Sequence, residues 1–251
     1  MNVPPQVPSL GRMNTLASWA EQLARALLHE PLPRRWAHVQ GVAARARGLA
    51  PALGADADLL EAAAWLHDIG YTPGLATTGL HQLDGARYLQ DAQHADTMLC
   101  RLVAYHSCAF IEAGERGLAD VLSSEFDPAP DVLASVLTYC DMTTSPDGQP
   151  VPAERRLADI QDRYGPGHLV SRSIQRATPM ILRAVEQVHQ RAGAGLRTGR
   201  PSSCRGRGVR RPGQRHSCQA MPVTPAMPGA ARQIPGSFVT EGTGRRTGPH
   251  G

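Results

Sequence analysis

His67 and Asp68 stand side by side in the run EAAAWLHDIG, an imidazole and a carboxylate on adjacent residues. The pair offers one nitrogen and one oxygen ligand to a divalent cation. Partners of the same chemical type lie along the chain: His38 upstream, His81 and His106 beyond the pair, and Asp141 well downstream. A carboxylate buried without a partner costs several kcal/mol in effective terms (roughly, per ion). A cation would offset that cost and keep the histidines neutral as ligands. The chemistry to expect is therefore metal binding through His38, His67, Asp68, His81, His106 and Asp141.

The elements that must carry these groups support this reading. His67 follows Leu60, Ala63 and Ala64 at helical spacing, and His106 follows Leu99, Leu102 and Val103 in the same way. Asp141 lies four residues after Leu137, and His38 shares a face with Val42. Residues at these intervals project from one side of a helix. A lone histidine on an apolar face is more often a hydrogen-bonded core residue than a ligand. Several such groups aimed at one core favour a metal site.

The periodicity predicts helices throughout and no alternating strand pattern. Asn14 is the expected N-cap of a helix over 15–29, which Pro31 and Pro33 end. Further helices are expected over about 34–53, 56–68, 80–93, 96–106, 118–123, 131–143, 152–164 and 168–191. Gly70 is the expected stop of the third, Thr72–Gly79 a loop, Ser145–Gly148 a turn, and Pro179 a kink or break. The fold class is all-α, with a flexible arm over 1–13, a helical domain over 14–192 and a tail over 193–251.

Charge divides the same way. Residues 1–192 carry 16 arginines against 21 acidic residues, while 193–251 carry 10 arginines against Glu241 alone. The tail also holds 12 Gly and 7 Pro. It cannot bury enough surface to offset its ordering entropy, so disorder is expected. A basic arm could contact nucleic acid, but Phe238 is its only aromatic residue and base stacking gains little. The five cysteines form no CxxC pair, which argues against structural zinc. No basic n-region with an apolar h-region opens the chain, and no apolar run reaches membrane-spanning length. A cytoplasmic protein that does not enter a membrane is the expectation.

The order His38…His67-Asp68…Asp141 resembles the HD-domain superfamily of metal-dependent phosphohydrolases. The likeness runs from about Arg34 to Thr144, through RRWAHVQGVA, AAAWLHDIG, HQLDGARYL, LVAYHS and TYCDMTT. It implies a helical core holding one or two divalent ions. By that resemblance His38, His67 and Asp141 would hold one ion, His81 and His106 the other, and Asp68 would bridge them. Two departures stand out. Tyr71 occupies the place where many binuclear members have lysine, and this chain has no lysine at all. The long GYP-type motif of the cyclic dinucleotide enzymes is missing as well.

Nitrogen and oxygen ligands suit Mn, Fe, Co, Ni or Zn better than calcium. The expected reaction is hydrolysis of a phosphate ester or anhydride of a nucleotide or small phosphorylated metabolite, by a metal-activated water. Arg35, one turn before His38, is the expected phosphate grip. Asp84, one turn after His81, is the expected catalytic proton shuttle or orienting group. Arg155 or Arg156 could reach the site, although a solvent-facing role is the simpler reading for both. Two alternatives remain open: a di-iron oxygenase on the same fold, and a non-catalytic helical module that senses a nucleotide.

Overall fold

A computed structural model describes residues 15–195. The expected N-terminal arm, Asn14 and residues 196–251 of the expected tail lie outside the described residues. The described part is helical, and its only bridge of strand type joins Thr144 to Pro150.

Helix α1 spans Leu16–Leu28. Thr15 caps it by accepting a hydrogen bond from Ser18 N. Asp58 adds a second cap from elsewhere in the chain, accepting from the backbone N–H groups of Leu16 and Ala17 at 2.9 and 3.1 Å. The expected second helix is in fact two, α2 over Pro33–Gly48 and a single turn, α3, over Ala50–Leu53. Pro51 explains the break, because it has no N–H to return to Arg47 and its ring crowds that carbonyl.

Helix α4, Ala57–Leu66, is the centre of the fold. Leu60, Ala62, Ala63, Ala64, Trp65 and Leu66 are all buried, so the helix is apolar on every side over its second half. It packs against α1, α2 and the later helices α6 (Thr97–Tyr105) and α9 (Asp131–Met142). A short 3₁₀ turn, Ile69–Tyr71, follows it and leads through the 72–79 loop to α5, His81–Asp91. Gly70 is not a left-handed stop. Its Cβ, if present, would lie 1.9 Å from the backbone oxygen of His81, so glycine is required for the 3₁₀ turn to meet α5.

Asp96 caps α6 through Met98 N. Beyond α6 the chain turns sharply: Ser107 and Cys108 adopt φ values of 49° and 62°. Helix α7, Ala109–Glu115, follows and was not anticipated; α8 occupies Ala119–Glu125. Helices α10 (Ala153–Tyr164) and α11 (Leu169–Gly195) form a second, smaller apolar cluster with Met142, built from Leu157, Ile160, Ala177 and Ile181. Pro179 does not split α11. It lies on an exposed face, as does Gln175, whose carbonyl it leaves without an N–H partner, so solvent can satisfy that group.

Candidate metal centre

Six ligand-type side chains converge between α2, the end of α4, the start of α5, the end of α6 and α9. His38, His67, Asp68, His81, His106 and Asp141 are all buried. Any one of three sets could hold an ion: His38, His67 and Asp68; His67, His106 and Asp141; or Asp68, His81 and His106. Within each set one ligand atom per residue lies within 4.8 Å of the others. Every metal ligand expected from the sequence is thus brought to one place.

Local structure fixes the imidazoles. His67 and His106 each close a helix, and each donates from Nδ1 to the carbonyl three residues earlier, Ala64 at 2.8 Å and Val103 at 2.7 Å. His38 donates from Nδ1 to the Ser145 carbonyl at 2.9 Å. A carbonyl can only accept, so Nδ1 carries the proton in all three rings and Nε2 is left with its lone pair in the neutral form. Such second contacts orient metal-binding histidines. The turn that presents Ser145 is held by Arg34, which grips Asp147 through two hydrogen bonds of 2.8 and 3.2 Å.

The carboxylates face these lone pairs. Asp68 Oδ2 lies 3.4 Å from His67 Nε2 and 3.8 Å from His38 Nε2. Its other oxygen, Oδ1, lies 3.3 Å from His81 Nε2 and 3.9 Å from His106 Nε2. One carboxylate therefore turns its two oxygens toward two different histidine pairs. Asp141 Oδ1 lies 3.0 Å from His38 Nε2 and 3.9 Å from His67 Nε2, and its Oδ2 accepts from the Ser107 hydroxyl. The left-handed turn at Ser107 is what aims that hydroxyl inward.

The donor set fits a divalent cation. His67 Nε2 is buried and has no hydrogen-bond partner. Lone pairs on neighbouring nitrogens and carboxylate oxygens would repel one another unless a proton or a cation lay among them. Burial lowers the pKa of His67, and burial with the neighbouring His67 and His81 lowers that of His106 to about 3. Both rings are thereby kept in the neutral form a ligand requires. Burial opposes ionisation of Asp68, but Arg35 outweighs it and holds the carboxyl well below the usual range. Asp141 is also held down against burial, chiefly where a proton on His38 Nε2 is donated to Oδ1 at 3.0 Å. The same residues could hold either one ion or two.

Around this cluster the other expected residues separate. Arg35 is at the site: Nη1 donates to Asp68 Oδ2 at 2.6 Å, and the guanidinium lies 3.9 Å over the Tyr71 ring. Tyr71 also stacks on His81 at 4.0 Å between ring centres. Asp84 does not join the cluster. Its carboxylate accepts from Thr77 N, Thr77 Oγ1 and Thr78 N, tying the 72–79 loop to α5. Asp84, expected as a proton shuttle or orienting group, thus has its oxygens committed to that loop and not to the cluster. Arg155 turns outward to pair with Asp159. Arg156 turns inward, is only 6 % exposed, and leaves Nε and Nη1 without a partner.

A recess open to solvent leads onto the cluster. Asp68, His81, His106 and Asp141 form its floor, while Arg35, Arg156 and Arg163 supply cationic walls. Ile160, Tyr164, Val170 and Ile174, from α10 and α11, form an apolar side. The sequence reading did not foresee this α10–α11 wall; of the two arginines it weighed, Arg156 turns inward, against the solvent-facing reading it preferred for both.

No membrane-crossing helix occurs among the described residues. No curated protein and no solved structure matches the chain. The family model of the HD domain matches residues 35–166, the stretch from Arg35 through the end of α10 that contains all six ligand-type residues. Proteins of this family are mostly metal-dependent hydrolases that bind divalent metals. The chain belongs to the HD domain family.

Proposed function

We propose that the protein is a phosphohydrolase acting on a phosphate ester or anhydride of a nucleotide or other small phosphorylated metabolite. One observation carries the reading: the recess that opens on the His/Asp cluster is walled by Arg35, Arg156 and Arg163. Guanidinium groups match phosphoryl oxygens in shape and charge. A purely apolar carbon substrate would leave Arg156 Nε and Nη1 without a partner.

His38, His67 and Asp141 would hold one divalent ion, His81 and His106 a second, with Asp68 between them. When bound, such ions supply Lewis acidity and bring the ionisation of water toward neutral pH. The chain does the rest by positioning. Arg156 and Arg35 would hold the phosphoryl oxygens, and the α10–α11 wall would take the organic group and exclude water. Water oxygen forms the new bond to phosphorus, the ester or anhydride P–O bond breaks, and the leaving oxygen takes up a proton. With Nδ1 donated to a carbonyl in each of the three anchored histidines, the neutral ring presents its Nε2 lone pair to the cluster.

The test is metal analysis of the full chain joined to a screen of phosphorylated metabolites, with Mn, Fe, Co, Ni and Zn each supplied. Phosphate release that is lost in His67→Ala and in Asp68→Ala is expected. Oxygen consumption with no phosphate release would replace this reading with oxygenase chemistry. Full metal content and activity in both variants would remove the site assignment.

A further inference from the structure

Helix α10 presents Arg156, Ile160, Arg163 and Tyr164 to the recess, spaced as one helical stripe. Two of these are cations. Arg156 is buried, and neither its Nε nor its Nη1 has a hydrogen-bond partner. Arg163 forms no ion pair among the described residues. Both also line a second hollow beside the first, bounded by Arg34, Arg35, His38 and Pro146. No carboxylate lines this second hollow. Arg34 and Arg35 already have partners in Asp147 and Asp68.

Charge counting gives the hollow a purpose. The carboxylates lining the two hollows are Asp68, Asp141 and Glu112; Glu112 pairs with Arg116, and Arg35 and Arg156 offset the other two. Any divalent cation held by the histidines then adds positive charge, with Arg163 close by. Asp147, which pairs with Arg34 beside the second hollow, offsets part of it, and a bound anion would offset more. One phosphoryl group over Asp68 and His81 would satisfy the first recess and leave the second hollow only partly compensated.

We infer that the hollow between α10 and the start of α2 is a subsite for a second anionic group, with Arg156 shared between the two groups. The inference rests on the phosphohydrolase reading and narrows its substrate. The protein acts on compounds with two neighbouring phosphoryl groups, phosphoanhydrides or bisphosphates, in preference to simple monoesters. One group is attacked over the His/Asp cluster. The other is held by Arg156 and Arg163 and is not attacked.

The experiment is titration of the metal-loaded full chain with methylenediphosphonate and with inorganic phosphate, with metal content checked afterwards. The non-hydrolysable diphosphonate is expected to bind at least about tenfold more tightly, a difference of about 1.4 kcal/mol. In Arg163→Gln, at an exposed position, and in Arg156→Lys, that ratio should fall toward one. Thermal unfolding of both variants establishes that they are folded. Equal affinity of the wild type for the two probes overturns the subsite, and so does a ratio that survives both substitutions. If the ratio behaves as expected but no ester or anhydride is hydrolysed, the subsite stands and the hydrolase reading fails.

Discussion

Arg35 Nη1 lies 2.6 Å from Asp68 Oδ2, on the same carboxylate that faces both histidine pairs. The guanidinium therefore competes with any cation for that oxygen. Stacking on Tyr71 holds it in place. Replacing it by a neutral side chain removes a like charge from the metal site. Arg35→Gln should bind a divalent ion more tightly in the absence of substrate, by about tenfold or about 1.4 kcal/mol. Turnover should fall, since a phosphoryl contact is lost with it. Competition titration against a metal-sensitive dye measures the first effect. Weaker metal binding would mean that Arg35 serves mainly to support Asp68.

Gly41 and Gly148 meet where α2 passes the 145–148 turn. A Cβ on Gly41 would lie 2.3 Å from the Gly148 oxygen, and one on Gly148, at φ +77°, would lie 2.3 Å from the Ala37 oxygen. Both obstacles are backbone, so the turn must move away. Gly41→Ala should cost about 1–3 kcal/mol of stability and also weaken metal binding, because the displaced turn carries the Ser145 carbonyl that orients His38. Gly48, at the end of the same helix, has nothing within 4 Å of its Cβ position. Gly48→Ala should be neutral or stabilising by about 0.5–1 kcal/mol. Denaturant unfolding of the two variants, with metal retention measured on each, separates local packing from general helix propensity.

The ligand cluster was legible because each of its members sits in phase with an apolar stripe or at a helix end. Arg156 was legible in principle. Ala153, Leu157 and Ile160 set the buried face of α10, and Arg156 falls on it while Arg155 falls outside. The expectation of two solvent-facing arginines gave more weight to charge than to phase. The turn after His106 had no such signal. Ser107 and Cys108 take left-handed backbone conformations that favour Gly or Asn, so neither residue type announces the turn or the helix α7 beyond it. Asp84 is turned to the 72–79 loop for a related reason. Its spacing from His81 is correct for a shared face, but the threonines of the 72–79 loop reach its carboxylate first.

That loop gives a direct comparison. Asp84→Asn removes the charge from hydrogen bonds to Thr77 and Thr78 and turns one acceptor into a donor. It should cost about 1–3 kcal/mol of stability, with metal content retained and turnover reduced less than in His67→Ala. The two variants are to be compared at equal metal loading. Loss of turnover as complete as that of His67→Ala, with normal stability, would return Asp84 to the reaction.

Glu115, at the end of α7, accepts from Arg176 Nη1 at 2.6 Å and from Arg172 Nε at 3.1 Å, both on α11. These hydrogen bonds hold its carboxyl below the ordinary glutamate range. The unfolded chain therefore takes up the proton first as pH falls. The contribution to folding is present above the unfolded value of about 4.3 and is lost as pH drops through the lower folded value. Val170 and Ile174, which wall the recess, lie on the same stretch of α11. Acid should thus loosen the start of α11 before the buried cluster around α4 gives way. The Glu115 side chain should titrate with a midpoint below about 4.3 by NMR. In Glu115→Gln, amide exchange over residues 169–176 should already be raised at neutral pH and change little on acidification. A Glu115 midpoint at or above the ordinary value would show that the two arginines do not hold the carboxylate in solution, and the acid-sensitive α7–α11 link would then be ruled out.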